Sequence, residues 1–313
     1  MPNWKILITD GLAESGQEIL KVGADITDQS GISAEALLDE IQSYEALIVR
    51  GRTQVTQDVI EAASNLQVIG RAGVGVNNID LAAAQSRKIT VVNAPSGSTI
   101  AVAELTIGLM LSLVRHIARA DNAMKSGQWT KRELTGAELS GKVLGIIGMG
   151  RIGSAVGQRA AAFGMKILGF DLMISTEDIR TKGAEPVSLN DLYAQSDFIS
   201  LHLPLTPETK GMLDGQVFAS MKKGVYLICA ARGGVIDELA LHASLESGQV
   251  GGAALDVFKD EPPGLTALVA HPKVVATPHI GAQTIEAQSR AAKYIAKEVL
   301  AALNKEPLTS KIV

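Results

Sequence analysis

Residues 143–153, VLGIIGMGRIG, are the most informative stretch of this chain of 313 residues. They begin with an apolar run of five residues, and glycines follow at positions 148, 150 and 153. A helix-like run from Ser154 to Phe163 comes next, and a second apolar run, Met165–Phe170, ends on Asp171. This order predicts a strand, a glycine turn, a helix and a second strand that ends on an acid, which is typical of a dinucleotide-binding unit.

Each part of this pattern has a physical role in holding a dinucleotide. Gly148 permits the tight turn, Gly150 lets the backbone approach a pyrophosphate, and Gly153 lets the helix pack closely on the strand. The helix N-terminus adds N–H donors and the positive end of its dipole. Asp171 follows Gly153 by 18 residues, close to the ~20 typical of a carboxylate that bonds the adenosine ribose. Because this carboxylate would repel a 2′-phosphate, the sequence predicts NAD rather than NADP.

Length and composition are those of a globular protein with two domains. The net charge of −4 and the pI near 5.8 give no reason to expect nucleic acid or an anionic membrane surface as a partner. The single cysteine, Cys229, excludes an internal disulfide and a CxxC metal site. We therefore predict no metal and a reducing compartment.

No stretch of the sequence predicts a membrane span or a signal peptide. The most apolar long run, Ile100–Val114, is interrupted by Glu104 and is shorter than the ~20 residues that a span needs. Residues 1–5, MPNWK, lead into no apolar signal core. We expect a cytoplasmic protein.

Short β-branched runs alternate with helical patterns in the first part of the chain, which predicts a parallel sheet covered on both faces. The predicted strands are Lys5–Thr9, Ala46–Arg50, Gln67–Gly70 and Ile89–Val92. The predicted helices are Leu12–Val22, Ala34–Ile41, Gln57–Ala63 and Ile79–Arg87.

Two arginine-rich loops follow strands of this sheet, at the carboxyl ends where such sheets bind ligands. They are Arg50-Gly51-Arg52 and Arg71-Ala72-Gly73-Val74-Gly75. Their glycines can leave backbone N–H groups free for an anion, and the three arginines add positive charge. The alternative is a pair of glycine turns with solvated arginines.

Alternation of helices and strands continues through the rest of the chain. Residues 93–98, NAPSGS, have the composition of a hinge, and an amphipathic run from Thr99 to about Ser126 predicts one long helix. Between Gly127 and Gly141, charged residues surround Trp129, which indicates either an oligomerisation arm or a solvated connector. Further elements are predicted at Leu189–Gln195, Phe198–Leu201, Val225–Cys229, Glu238–Ser247, Gly252–Val257, Val274–Thr277 and Ile285–Leu303. Two similar α/β domains facing each other across a cleft fit this pattern.

Three strand ends in the second half carry the groups that hydride transfer from a 2-hydroxy acid requires. They are Arg232, Glu261 and His279, in chain order. A histidine can take the hydroxyl proton, a carboxylate can orient its imidazole, and an arginine can grip the substrate carboxylate. Alone, Arg232 could be a capping or salt-bridge residue and Glu261 a loop carboxylate. Their order after a nucleotide fold favours catalysis.

The chain has five histidines, and His279, in the strand-end sequence TPHIG, is the predicted base. For His116 we predict a structural role, for His242 a place on a helix surface, and for His271 a turn. His202 ends a strand in the nucleotide-binding half, where packing is favoured over contact with the cofactor.

Six blocks carry a family resemblance that runs along nearly the whole chain. They are residues 68–80 (VIGRAGVGVNNID), 148–153, 231–237 (ARGGVID), 252–258 (GAALDVF), 261–262 (EP) and 278–282 (PHIGA). The set resembles the D-2-hydroxyacid dehydrogenases, and most closely the branch of that family that acts on 3-phospho-D-glycerate.

The resemblance implies a role for each candidate residue. It makes His279 the acid–base, Glu261 its hydrogen-bonded partner and Arg232 the substrate clamp. The implied substrate-binding residues are Arg50, Arg52, Arg71, Gly73, Val74, Gly75, Arg232 and His279. The implied NAD-binding residues are Val74, Gly148, Gly150, Arg151, Ile152, Gly153, Asp171, Leu203, Ala230, Ala231, Arg232, Asp256, His279, Gly281 and Ala282. Among these, Asp171 would bind ribose and Asp256 would face the nicotinamide amide.

The implied fold is α/β, with two doubly wound parallel-sheet domains. A Rossmann NAD-binding domain, residues 96–284 with a dimerisation arm, is inserted into a flavodoxin-like substrate domain, residues 1–95 plus 285–313. The implied partners are a small 2-hydroxy or 2-oxo acid that carries a phosphate, and a second copy of the chain in a homodimer, with a tetramer as the alternative.

The predicted reaction is the NAD-dependent oxidation of 3-phospho-D-glycerate to 3-phosphohydroxypyruvate, the first step of serine biosynthesis. One alternative is a reductase for glyoxylate, hydroxypyruvate or another D-2-hydroxyacid. Another is an NAD(H)-sensing, corepressor-like binding protein, against which the complete catalytic set argues.

Two features depart from the family pattern. Cys229 stands where many relatives carry asparagine, which leaves the local hydrogen bonding there open. The chain also stops soon after the last predicted helix, so we expect no C-terminal serine-binding domain and no serine feedback through one.

Overall fold

A computed structural model describes residues 4–313 and divides the chain into two compact units. The first unit comprises Met1–Ser98 and Ala282–Val313, and the second comprises Thr99–Gly281. Met1, Pro2 and Asn3, on which part of the signal-peptide expectation rests, lie outside the described residues.

The described part of the first unit contains five parallel strands in the order β2-β1-β3-β4-β5, which is a flavodoxin-like order. The strands are β1 (Trp4–Ile8), β2 (Ala24–Asp28), β3 (Ala46–Val49), β4 (Val68–Arg71) and β5 (Thr90–Asn93). The helices are α1 (Glu14–Leu20), α2 (Ala34–Glu40), α3 (Gln57–Ala62), α4 (Leu81–Ser86) and α12 (Ile285–Leu303), with a 3₁₀ turn at Ile41–Ser43.

Both faces of this sheet are covered. Ile6 and Ile8 point to the face that packs on Ile295 of α12, whereas Leu7 between them points to the face that packs on Leu37 of α2. Alternation along a strand sends successive side chains to opposite faces, so a strand that is apolar throughout is buried on both sides.

The described second unit contains seven parallel strands in the order β12-β11-β10-β9-β6-β7-β8, which extends the Rossmann order by one strand. The strands are β6 (Val143–Ile147), β7 (Lys166–Phe170), β8 (Glu185–Pro186), β9 (Phe198–Leu201), β10 (Val225–Cys229), β11 (Val250–Leu255) and β12 (Val274–Ala276). The helices are α5 (Thr99–Val114), α6 (Ile117–Lys125), α7 (Arg151–Ala162), α8 (Thr176–Thr181), α9 (Leu189–Gln195), α10 (Gly215–Ser220) and α11 (Glu238–Glu246), with a 3₁₀ turn at Lys131–Glu133. Two parallel-sheet α/β units confirm the predicted fold class.

The prediction of one helix from Thr99 to Ser126 is wrong. His116 adopts a left-handed conformation with φ of 55°, and the two helices on either side of it meet at a bend of 65°. The apolar helix α5 is largely buried, whereas α6 has no buried residue. Within residues 4–313, no single helix is long and apolar enough to cross a membrane, although α5 and α6 together pass on length and composition alone.

Candidate active site

His279 and Glu261 form a hydrogen-bonded pair in the second unit. His279 Nδ1 lies 2.7 Å from Glu261 Oε2, and the other carboxylate oxygen, Oε1, accepts from the Phe258 N–H at 3.1 Å. The side chain of His279 is 51% exposed and that of Glu261 37%, so a small molecule can reach the imidazole. A carboxylate on Nδ1 fixes the tautomer and leaves Nε2 available to exchange a proton.

The loop that carries His279 is held by Asp256, which is only 1% exposed. One carboxylate oxygen of Asp256 accepts from Thr277 Oγ1 at 2.6 Å and from the Ile280 N–H at 2.8 Å, and the other accepts from the Gly281 N–H at 2.8 Å. His279 itself is left-handed, with φ of 52°, a conformation rare outside glycine that must be held by its surroundings. Asp256 therefore fixes the backbone of the candidate base.

Arg232 follows β10 and folds back on its own loop, with Nη1 donating to the Ala231 carbonyl at 2.6 Å. Burial lowers the pKa of the Arg232 guanidinium, and the negative charge of Glu261 opposes that effect. An arginine remains charged at neutral pH despite such a shift. Glu261 thus acts electrostatically on Arg232 while it bonds His279, which places the three predicted catalytic residues in one cluster.

Cys229, the last residue of β10, supports the Arg232 loop from behind. Its thiol Sγ donates to the Arg232 carbonyl at 3.8 Å, and the residue is 2% exposed. Burial raises the pKa of this thiol to about 11, so it stays protonated and unreactive at neutral pH. The thiol thus supplies a hydrogen bond at the position where the sequence left the local hydrogen bonding open.

The glycine turn after β6 has the shape needed for a pyrophosphate. Gly148 has φ of 98°, and a Cβ atom there would lie 2.3 Å from the His202 carbonyl oxygen. A Cβ at Gly150 would meet no atom within 4 Å, so the space over the turn is open. Helix α7 begins at Arg151 without a side-chain cap, which leaves its first N–H groups for an anion.

Asp171, at the end of β7, lies beside this turn. One of its oxygens accepts from the Met149 N–H at 2.7 Å, and the other accepts from the Met173 and Ile174 N–H groups at 2.8 and 3.2 Å. These bonds fix the carboxylate at the mouth of the turn, where it can bind a ribose. The turn, the uncapped helix and the acid together fit NAD.

Gly148→Ala is expected to weaken NADH binding by roughly tenfold or more, because strain of about 1–3 kcal/mol would have to be relieved by moving the turn. The measurement is a fluorescence titration with NADH beside a thermal unfolding curve. Gly127→Ala is a matched control, because Gly127 also has a positive φ but open space around it. Wild-type NADH affinity in Gly148→Ala would contradict this account of the turn.

The other histidines are placed differently. The His202 ring lies with Nε2 2.8 Å from Ser200 Oγ, and burial lowers the pKa of His202 to about 4, so it is neutral at neutral pH. His271 Nε2 lies 3.2 Å from Glu246 Oε1, and its ring meets His242 edge-on at 5.7 Å. His116 is the N-cap residue of α6, at the break between α5 and α6. In the part of the chain that the structure describes, no group of His, Cys, Asp and Glu side chains could hold a metal ion.

The remaining residues predicted to bind NAD fall into two groups. In the second unit they follow the carboxyl ends of parallel strands or begin α7, and the structure thus brings them to one edge of the sheet: Arg151, Ile152, Gly153, Leu203, Ala230, Ala231 and Gly281. Val74 and Ala282 belong to the first unit.

Arg50 and Arg52, in the first arginine loop, have different partners. Arg52 Nε lies 3.2 Å from a carboxylate oxygen of Asp10, and its other nitrogens donate to the Ile32 carbonyl at 3.1 Å and the Thr9 carbonyl at 2.7 Å. Arg50 makes no ion pair within residues 4–313, and its Nη2 donates to Gln283 Oε1 at 3.4 Å. Arg52 is thus engaged in holding its own loop, whereas Arg50 keeps an unneutralised charge.

The second loop contains Arg71 and three of the predicted substrate-binding residues. The Arg71 guanidinium lies against Gly73, where a Cβ would overlap Nη1 at 1.4 Å. The Gly73 N–H donates to the Arg71 carbonyl at 2.7 Å, so it is already engaged. Within the described chain, the N–H groups of Val74 and Gly75 make no such backbone bond and remain donors for a carboxylate.

Residues 107–281 match a family model described as "D-isomer specific 2-hydroxyacid dehydrogenase, NAD binding domain". The chain belongs to this family. This match confirms three predictions: the family, NAD as the cofactor, and an NAD-dependent dehydrogenase as the class of enzyme. The matched range contains Arg232, Glu261 and His279 as well as the glycine turn.

The chain matches solved structures over nearly their whole length, but matches curated relatives over only part of theirs. D-3-phosphoglycerate dehydrogenase of Sus scrofa is 48% identical over 93% of this chain and 55% of its own length. The chain therefore spans about half the length of the curated relatives it matches. Among solved structures of the family, a glyoxylate reductase from Paecilomyes thermophila is 30% identical with a TM-score of 0.89, covering 100% of this chain and 99% of its own. A D-lactate dehydrogenase from Aquifex aeolicus, complexed with NAD and lactic acid, is 32% identical with a TM-score of 0.82, covering 96% of each chain.

Proposed function

We propose that this dehydrogenase oxidises 3-phospho-D-glycerate to 3-phosphohydroxypyruvate with NAD, at the entry to serine biosynthesis. The observation that carries the proposal is the His279–Glu261 pair, joined at 2.7 Å, beside Arg232 in an NAD-binding unit. The choice of substrate is supported by relatives such as that of Sus scrofa, which are named D-3-phosphoglycerate dehydrogenase, and by the free charge of Arg50.

His279 acts as the base. Because Nδ1 is engaged with Glu261, Nε2 accepts the proton of the C2 hydroxyl group. Glu261 stabilises the imidazolium that results, since a negative charge at hydrogen-bond distance favours the charged form. When bound, NAD accepts the hydride that leaves C2.

Arg232 binds the substrate carboxylate and polarises the oxygen on C2. A guanidinium presents paired N–H donors that match two oxygen atoms. In the first unit, the N–H groups of Val74 and Gly75 are proposed substrate-binding donors, since they make no backbone hydrogen bond among the described residues. Arg50, with its charge unneutralised, binds the phosphate, and Arg71 is a second candidate for that role. For Arg52, already bonded to Asp10, we propose that it holds the loop that presents Arg50.

We propose a homodimer formed through the second unit, in the cytoplasm. The segment around α6 exposes large apolar side chains that a partner would cover: Ile117 at 53%, Met124 at 58% and Trp129 at 79%. Exposed apolar residues in one segment favour an interface. The free thiol of Cys229 agrees with a reducing compartment.

The test of this function is NADH oxidation with equal concentrations of phosphohydroxypyruvate, hydroxypyruvate, glyoxylate and pyruvate. The expected result is a preference of about 30-fold or more in kcat/KM for the phosphorylated acid, since a charged hydrogen bond to phosphate is worth roughly 2 kcal/mol. Equal or faster turnover of glyoxylate or hydroxypyruvate would favour the reductase alternative, which the structural likeness to a glyoxylate reductase supports. Tight NADH binding without turnover of any of the four acids would favour the binding-protein alternative.

A further inference from the structure

We propose that Gln283 is a positioning residue for phosphate recognition, which orients Arg50 through its side-chain carbonyl without neutralising it. This inference rests on the proposed function, because it assumes that Arg50 meets a phosphate. It assigns to Gln283 a part in discriminating between phosphorylated and unphosphorylated 2-oxo acids.

The backbone of Arg50 is fixed on both sides. Its N–H donates to Asp10 Oδ2 at 2.8 Å, and its carbonyl accepts from Asn78 Nδ2 at 3.0 Å. The side chain is held differently: its hydrogen bond within the described residues is the 3.4 Å contact from Nη2 to Gln283 Oε1. The direction of the guanidinium therefore depends on Gln283.

Gln283 is itself fixed by α12. Its Oε1 also accepts from Gln288 Nε2, one turn into that helix, so the oxygen faces Arg50 and Gln288 together. The helix starts immediately beyond Gln283, where the Thr284 side chain caps it by accepting from the Ala287 N–H. Helix α12 is anchored in the core of the first unit by residues such as Ile295. Gln283 thus lies in the loop just before α12, and its hydrogen bond with Gln288 ties the acceptor that meets Arg50 to that helix.

The chemistry of the acceptor matters, and Arg52 shows why. Arg52 is held by a carboxylate, that of Asp10, which offsets its charge. Gln283 offers a neutral carbonyl, which can accept a hydrogen bond but leaves the charge of Arg50 intact. A guanidinium has five N–H donors in a fixed planar arrangement. With one of them engaged by Gln283, the others remain for the oxygens of a phosphate.

The experiment compares Gln283→Met, which keeps the length of the side chain but removes the acceptor, with the wild-type protein. KM and kcat are measured with NADH for phosphohydroxypyruvate and for hydroxypyruvate. The expected result is a rise of about three- to tenfold in KM for phosphohydroxypyruvate, with kcat, the kinetics of hydroxypyruvate and NADH affinity unchanged. Gln57→Met is a matched control, because Gln57 is also exposed in the first unit but bonds Glu61 rather than an arginine.

A double-mutant cycle with Arg50→Ala separates positioning from any direct contact of Gln283 with substrate. If Gln283 acts through Arg50, adding Gln283→Met to Arg50→Ala does not raise KM for phosphohydroxypyruvate any further. The inference would be overturned if the two substitutions raised KM for phosphohydroxypyruvate in a fully additive way. It would also be overturned if Gln283→Met raised KM equally for phosphohydroxypyruvate and hydroxypyruvate. So would an unchanged KM in Gln283→Met when Arg50→Ala raises it. If Arg50→Ala itself left the preference for the phosphorylated acid intact, the proposed phosphate role of Arg50 would fall, whatever Gln283 does.

Discussion

His279→Ala is expected to lower kcat by about 10³-fold, within the range that a positioned general acid–base contributes, while the Kd for NADH stays within about twofold of wild type. The reason is local: the imidazole is the group that exchanges the substrate proton, whereas the glycine turn and Asp171 that would hold the cofactor are separate residues of the same unit. Steady-state rates with phosphohydroxypyruvate and a fluorescence titration with NADH give the two quantities.

One further variant tests the pair of His279 and Glu261 rather than the single residue. Glu261→Gln keeps the shape of the side chain but removes the charge that stabilises the imidazolium, so kcat should fall by roughly 10- to 10²-fold. His242→Ala is the matched control, since His242 lies on α11 against His271 and outside the cluster. Turnover in His279→Ala at the wild-type rate would remove His279 from the mechanism.

Arg232→Ala is expected to lower kcat/KM for the 2-oxo acid by on the order of 10²- to 10³-fold, because truncating one partner of a partly buried charge pair typically costs 2–5 kcal/mol. Arg232→Lys keeps a positive charge but loses the paired N–H donors, so its activity should lie between those of the alanine variant and the wild type.

The control for Arg232 is Arg159→Ala in the same unit. Arg159 makes an exposed ion pair with Glu104 at 3.3 Å, and pairs of this kind contribute little, so its kinetics should match those of the wild type. If Arg232→Ala lowered the affinity for NADH by as large a factor as kcat/KM for the 2-oxo acid, the loop would have collapsed. Wild-type kcat/KM in Arg232→Ala would contradict the role of Arg232 as the substrate clamp.

The pattern around the glycine turn could be predicted from the sequence because its determinants are local. Glycines at positions 148, 150 and 153 and the two flanking apolar runs determine a strand, turn and helix within a short stretch. Strands β2 and β8 were not predicted, and their composition explains why. Ala24–Asp28 has one fully buried residue and Glu185–Pro186 has none, so neither carries the apolar periodicity of a central strand.

The helix break at His116 depends on tertiary structure. A histidine inside an apolar helical pattern does not signal a left-handed residue. The break arises because α5 stays in the core of the second unit while α6 leaves it. Propensity along the chain cannot show where that departure occurs.

In the candidate site too, some features follow from the local sequence and others depend on tertiary contacts. Arg232, Glu261 and His279 could be proposed from the sequence because each follows a strand that ends at the same edge of a parallel sheet. The sequence could not show that, across the described residues, Arg52 is ion-paired and Arg50 is not, because the partner of Arg52 is Asp10. Asp10 lies forty residues before Arg50 in the chain. The anchoring of the His279 loop by Asp256 was likewise not predicted, because it depends on three hydrogen bonds formed only in the folded unit.

The most direct test of the proposed hydride transfer uses 3-phospho-D-glycerate that carries deuterium at C2. The labelled acid is incubated with NAD and the protein, the oxo-acid product is trapped with hydrazine, and the reduced cofactor is analysed by mass spectrometry. The expected result is one deuterium in each NADH formed, together with 3-phosphohydroxypyruvate as the trapped product. NADH without deuterium, or no NADH while 2-hydroxy acids without a phosphate are oxidised, would contradict it.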